Sequence, residues 1–115
     1  MLHSMRLNPE PFEKIRNGTK TIELRLNDEK RRKVKKGDFI EFSCTENTSE
    51  KILTEVTDMH FFRDFEELYN NLLLAECGYA KDGQENASPA DMEKFYTKEQ
   101  QKKYGVVGIR LKIAD

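Results

Sequence analysis

Lys20, Glu23 and Arg25 place an ammonium, a carboxylate and a guanidinium within six residues of this 115-residue chain, directly after the tight turn Asn17-Gly18. Around them Ile22, Leu24 and Leu26 alternate with Thr21, Glu23 and Arg25, the period of a strand with one dry face. Residues two apart on a strand project from the same face, so Glu23 and Arg25 can pair directly. Strict alternation puts Lys20 on the other face. It joins the pair only if it sits in the turn before the strand proper, which Gly18 allows. A carboxylate beside a lysine holds the ammonium charged, and Arg25 in turn keeps Glu23 ionised. The trio then acts as a fixed set of donors and an acceptor. Glu23 could accept from the exocyclic amine of a base, while Lys20 and Arg25 hold a phosphate or a carbonyl. The plain alternative is a solvated strand face with an ordinary ion pair, worth about 0–1 kcal/mol.

The spacing Gly18-x-Lys20-x-x-Glu23-x-Arg25 resembles the GxKxxExR signature of the ASCH family. Met5-Arg6-Leu7-Asn8-Pro9-Glu10-Pro11-Phe12, Lys36-Gly37-Asp38-Phe39-Ile40 and Tyr104-Gly105-Val106-Val107-Gly108-Ile109 are similar to the same family, so the likeness spans nearly the whole chain. It implies an α+β fold, a small PUA-like mixed β-barrel flanked by two or three helices. It also implies RNA or a modified nucleoside as partner. One branch of the family hydrolyses N4-acetylcytidine with the motif lysine, a threonine three residues later and a glutamate from a distant helix. Here Glu23 occupies the threonine position, and Thr21, next to Lys20, points elsewhere. An amidohydrolase built on this motif would use Lys20 to polarise the acyl oxygen and Glu23 to activate water. Glu76 and Glu85 are the candidates for the distant glutamate, and each reads first as a solvated surface carboxylate. A metal-dependent ribonuclease is a further activity the resemblance suggests.

Composition narrows the partner. Charged residues make up 36% of the chain, yet the formal net charge is −1, so nucleic acid cannot be held by bulk charge and needs a local basic patch. Lys30-Arg31-Arg32-Lys33-Val34-Lys35-Lys36 supplies one immediately downstream of the motif. Lys30, Arg31 and Arg32 are the expected positive edge of the cleft. The alternative is a solvated connector that aids solubility. The run lacks interleaved aromatics, so it would track a backbone, and Tyr79, Tyr96 and Tyr104 are the candidates for stacking.

Cys44 and Cys77 lie in no CxxC pattern and read as ordinary thiols of a cytoplasmic protein. His3 and His60 are isolated, so no metal site and no cofactor are expected. No apolar run approaches the roughly 18 residues of a membrane span, and no signal-peptide core is present. A single soluble domain over 1–115, monomeric, is the expectation.

The elements that must position the motif follow from local signals. A first strand runs from about His3 to Leu7. Asn8-Pro9 starts a helix with Phe12 and Ile15 inward, and Gly18 stops it. Lys36-Gly37-Asp38 is a turn into a strand at Phe39, and Glu46 to Ser49 turns it back into Lys51–Met59. Asp64 caps a helix to about Leu74 with Phe65, Leu68 and Leu72 apolar. Lys81 to Asn86 is a polar loop. Ser88-Pro89-Ala90-Asp91 starts another helix with Met92, Phe95 and Tyr96 buried, and Thr97 to Gln100 restarts it as a capping box. Gly105 to Ile113 is the last strand.

Overall fold

The computed structural model describes residues 1–80, 83–84 and 87–114. In chain order the elements are β1 (Leu2–Leu7), α1 (Pro9–Arg16), β2 (Ile22–Leu26), α2 (Glu29–Arg32), β3 (Phe39–Cys44), β4 (Lys51–Phe62), α3 (Phe65–Asn71), a 3-10 turn (Pro89–Met92), α4 (Lys98–Tyr104) and β5 (Val106–Ile113). The strands form one mixed sheet in the order β1-β3-β4-β5-β2, parallel between β1 and β3 and antiparallel elsewhere. The sheet curls into a half-barrel, which brings its two edge strands within one side chain's reach: the Arg25 Nη2 on β2 donates to the Arg6 carbonyl on β1 at 2.7 Å.

The sheet is dry on both faces where β5 and β2 lie, while β1, β3 and the start of β4 alternate between buried and exposed residues. On the concave side Met5, Leu7, Ile40, Phe42, Val56, Val107 and Ile109 pack around Phe12 and Ile15 of α1. On the convex side Ile22, Leu24, Leu26 and Val106 pack under Phe65, Leu68 and Tyr69 of α3. β5 serves both layers, which explains its unbroken apolar run from Val106 to Ile109 with only Gly108 between. A Cβ at Gly108 would stand 2.8 Å from Leu72 Cδ1 and 3.1 Å from Ile22 Cγ2, so the missing side chain lets α3 and β2 close on the strand. A bulge between Val56 and Asp58 resets β4, so that Val56 and Met59 both face the concave core.

Several expectations shift. β4 runs on to Phe62, past Met59, because it keeps its partner β5 to the end. The helix begun at Asp64 ends at Asn71, and Leu72 is already extended at its C-cap. Ser88 does form a reciprocal capping box with Asp91, but the turn it caps is 3-10. Thr97 and Gln100 form the second capping box as expected. Asn8 precedes α1 without capping it through its side chain, whose Oδ1 accepts from Thr45 Oγ1 at 3.2 Å instead. The basic run opens in a short helix, α2, where no element was expected. Of the expected polar loop, Lys81, Asp82, Glu85 and Asn86 lie outside the described residues.

Candidate functional site

β2 sits at the rim of the half-barrel with its apolar residues turned under α3, so its alternate residues turn inward. Glu23 stands opposite Ile109 and Arg25 opposite Val107, both concave-core positions on β5. The face carrying Glu23 is therefore not a solvated one. Glu23 is 4% exposed, a charge buried at the end of an apolar core. Such a group is tolerated only when paired and hydrogen-bonded.

Both partners are the ones the motif supplies. Lys20 Nζ stands 3.0 Å from Glu23 Oε1, and Arg25 Nε donates to Glu23 Oε2 at 2.7 Å. Lys20 reaches Glu23 because it precedes the strand. Its own N–H donates to the Lys14 carbonyl, and the next two N–H groups, of Thr21 and Ile22, both donate to the Glu76 carbonyl at 2.9 Å. Gly78 backs the lysine. With φ at +103° and a would-be Cβ only 3.1 Å from Lys20 Cδ, position 78 admits no side chain without moving the lysine. Lys14 Nζ in turn donates to the Gly78 carbonyl at 2.7 Å and pins that loop to α1.

Burial by itself would raise the Glu23 carboxyl. The Lys20 ammonium, the Arg25 guanidinium and their hydrogen bonds outweigh it and hold the carboxyl below its ordinary 4.5. Burial likewise works against the Arg25 charge, and Glu23, with a smaller contribution from the Tyr96 hydroxyl, overcomes it. Glu23 is thus held as the carboxylate and Arg25 as the guanidinium.

It lines one wall of an open cavity of about 590 Å³, within the size range of small-ligand sites. Tyr69, Tyr79, Phe95, Tyr96 and Met92 give the cavity an aromatic and apolar side. Tyr79 is held in place by a short relay. Its hydroxyl donates to Asp91 Oδ2 at 2.8 Å, which leaves the Tyr69 hydroxyl, 2.6 Å away, to donate to Tyr79. Burial, the Tyr69 hydroxyl and the Asp91 carboxylate all raise the Tyr79 phenol, so it stays neutral. Tyr96 stacks on Phe65 with ring centroids 5.9 Å apart. Cys77 also lines the cavity, but burial pushes its thiol up to about 11, which leaves too little thiolate for a nucleophile at neutral pH.

The other expected residues lie elsewhere. Lys30, Arg31, Arg32 and Tyr104 are not among the residues lining the cavity. Asp28 caps α2, accepting from Arg31 N at 3.1 Å and from Arg31 Nη1 at 3.4 Å. Arg32 donates to the carbonyls of Asn27 and Tyr104 and lies 5.9 Å from the centre of the Tyr104 ring. Tyr104 is thus covered by arginine instead of offering a stacking face to the cleft. Lys30 is exposed, and Val34 buries into the concave core, anchoring the run along the barrel's flank. Glu76 is not on a helix: it lies in the turn after α3, and its Oε2 pairs with Arg110 Nη1 at 2.6 Å. Glu85 falls outside the described residues. Lys14, Tyr69 and Asp91 were not foreseen as part of the site. Only Asp91 carried a local signal, at the third position of a capping pattern.

A curled mixed half-barrel with flanking helices is the fold expected of an ASCH domain. The ASCH domain family model matches residues 5–114, and the chain belongs to that family. Among solved structures it is similar to hypothetical protein PH0355, at 33% identity with a TM-score of 0.83, covering 99% of this chain and 100% of that one. It is also similar to protein PF0455 from Pyrococcus furiosus, solved by solution NMR, at 30% identity with a TM-score of 0.73, covering 100% of this chain and 99% of that one. No curated protein matches. Among the described residues no helix is long and apolar enough to cross a membrane, and no three His, Cys, Asp or Glu side chains converge as metal ligands would.

Proposed function

We propose that this chain binds RNA or a modified nucleoside by taking one base into the cavity, against Lys20, Glu23 and Arg25. The observation that carries the reading is a carboxylate only 4% exposed, held ionised between two cations, in the wall of an open cavity whose other side is aromatic. A carboxylate has lone pairs beyond the ones Lys20 and Arg25 use, so Glu23 can still accept from an exocyclic amine or a ring N–H. The two cations can donate to an adjacent carbonyl, and Tyr79 or Tyr96 can cover the base's face. A pocket that meets polar edges this way rejects ligands lacking them, because its own buried groups would be left unpaired. ASCH domains are generally considered RNA-binding, which agrees with this reading.

Binding is favoured over N4-acetylcytidine hydrolysis because a carboxyl held below its ordinary range is a weak general base for activating water. The test is calorimetric titration with adenosine, cytidine, guanosine, uridine and N4-acetylcytidine, with cytidine release followed in the N4-acetylcytidine samples. At least one nucleoside should bind saturably, and Lys20→Ala should weaken it roughly tenfold or more, the scale of one lost charged hydrogen bond. Cytidine release that disappears in Lys20→Ala would replace the binder by an amidohydrolase. Affinity unchanged in Lys20→Ala for every nucleoside would place the ligand elsewhere.

A further inference from the structure

Phe95 is 57% exposed although it lines the cavity mouth, and Lys94 Nζ lies 5.8 Å from the centre of its ring. Its neighbour Tyr96, 6.5 Å away centroid to centroid, already belongs to the cavity's aromatic side. One ring thus faces inward and the next faces out, with an ammonium beside the outer one. Buried aromatics need no ligand to explain them. A large ring left in water at the lip of a charged cavity, under a cation, presents a stacking face of the kind unpaired bases use.

The charge around the mouth points the same way. Beyond Lys20 and Arg25, the lining includes Arg6, Lys14 and Lys94, five cations in all, against the three carboxylates Glu10, Glu23 and Asp91. Each carboxylate is already engaged: Glu23 by Lys20 and Arg25, Glu10 by Lys14 at 3.1 Å, Asp91 by Tyr79. Arg6 and Lys94 have no carboxylate partner among the described residues. A chain of net charge −1 therefore carries a locally positive cavity mouth.

We infer that the occupant is a single-stranded RNA, with one base in the cavity, the next base stacked on Phe95 and the intervening phosphate at Lys94. This rests on the reading of the cavity as a base site and goes beyond it: a lone nucleoside would leave Phe95 and Lys94 unused. The positive edge expected from Lys30, Arg31 and Arg32 is replaced by Lys94 with Arg6, where cation and aromatic alternate.

The experiment compares an eight-nucleotide RNA of mixed sequence with the four nucleosides, for wild type, Phe95→Ala and Lys94→Ala. Both side chains are exposed, so both variants should fold, and the readout is the ratio of RNA to nucleoside affinity. Wild type should bind the RNA at least tenfold more tightly than the best nucleoside. Phe95→Ala should shrink that ratio by roughly tenfold, the scale of one base-aromatic stack. Lys94→Ala should reduce the slope of log affinity against log salt by about one phosphate contact. RNA binding no tighter than nucleoside binding, or a ratio untouched by Phe95→Ala, would overturn this inference and leave the base site standing. No binding by RNA or any nucleoside would overturn both.

Discussion

Glu23→Gln is expected to destabilise the protein by about 3 kcal/mol, the cost typical of removing one member of a buried ion pair. The amide keeps the shape and one acceptor but leaves Lys20 and Arg25, whose side chains are 11% and 14% exposed, as adjacent cations with no counter-charge. Urea unfolding at neutral pH would report the loss as a lower midpoint with an unchanged slope. The same carboxylate sets an acid limit. Its folded pKa lies below the ordinary 4.5 of the unfolded chain, so the unfolded state takes up the proton first as pH falls. The contribution is therefore complete above that ordinary value and is lost as pH drops from there through the folded pKa. Wild-type stability should fall across that window, and Glu23→Gln should fall less steeply. Equal slopes would mean that Glu23 is not the group that titrates.

Arg25→Lys should cost about 2 kcal/mol, although charge is conserved. The guanidinium does two jobs at once: Nε donates to Glu23 while Nη2 reaches the Arg6 carbonyl across the open edge of the sheet. An ammonium is a single point and can satisfy one of these. Hydrogen exchange distinguishes this from a general loss of packing. The amides of β1 and β2, the two edges that Arg25 ties, should lose protection while those of β3 and β4 keep theirs. Uniform loss across all strands would show that Arg25 acts through core stability alone.

The motif strand and its turn were legible because their signals are local: Gly18 at positive φ, alternation through Leu26, and a lysine one turn ahead of the strand. The burial of Glu23 was not legible. A lone polar position on an alternating strand looks solvated, and only the curl of the sheet, fixed by pairing between β2 and β5 far along the chain, closes the second face over it. The course of the basic run was not legible for a related reason. Adjacency in sequence to β2 suggested adjacency to the cleft, but the Asp28 cap and the burial of Val34 direct the run along the flank. The aromatic side had to come from the segment 65–96, whose spacing shows capped turns but not which tyrosine meets which. The relay from Tyr69 through Tyr79 to Asp91 joins α3, the segment after it and the 3-10 turn, and no periodicity reports it.

The central claim, that a base enters the cavity against Glu23, is tested most directly by an NMR titration of the labelled protein with the eight-nucleotide RNA. Backbone signals of Lys20, Glu23, Tyr79 and Tyr96 and the Arg25 Nε–H should move together and saturate at one concentration. Movement confined to Lys30 through Lys36, with the Glu23 and Arg25 signals still, would contradict the account and assign RNA contact to the basic helix instead.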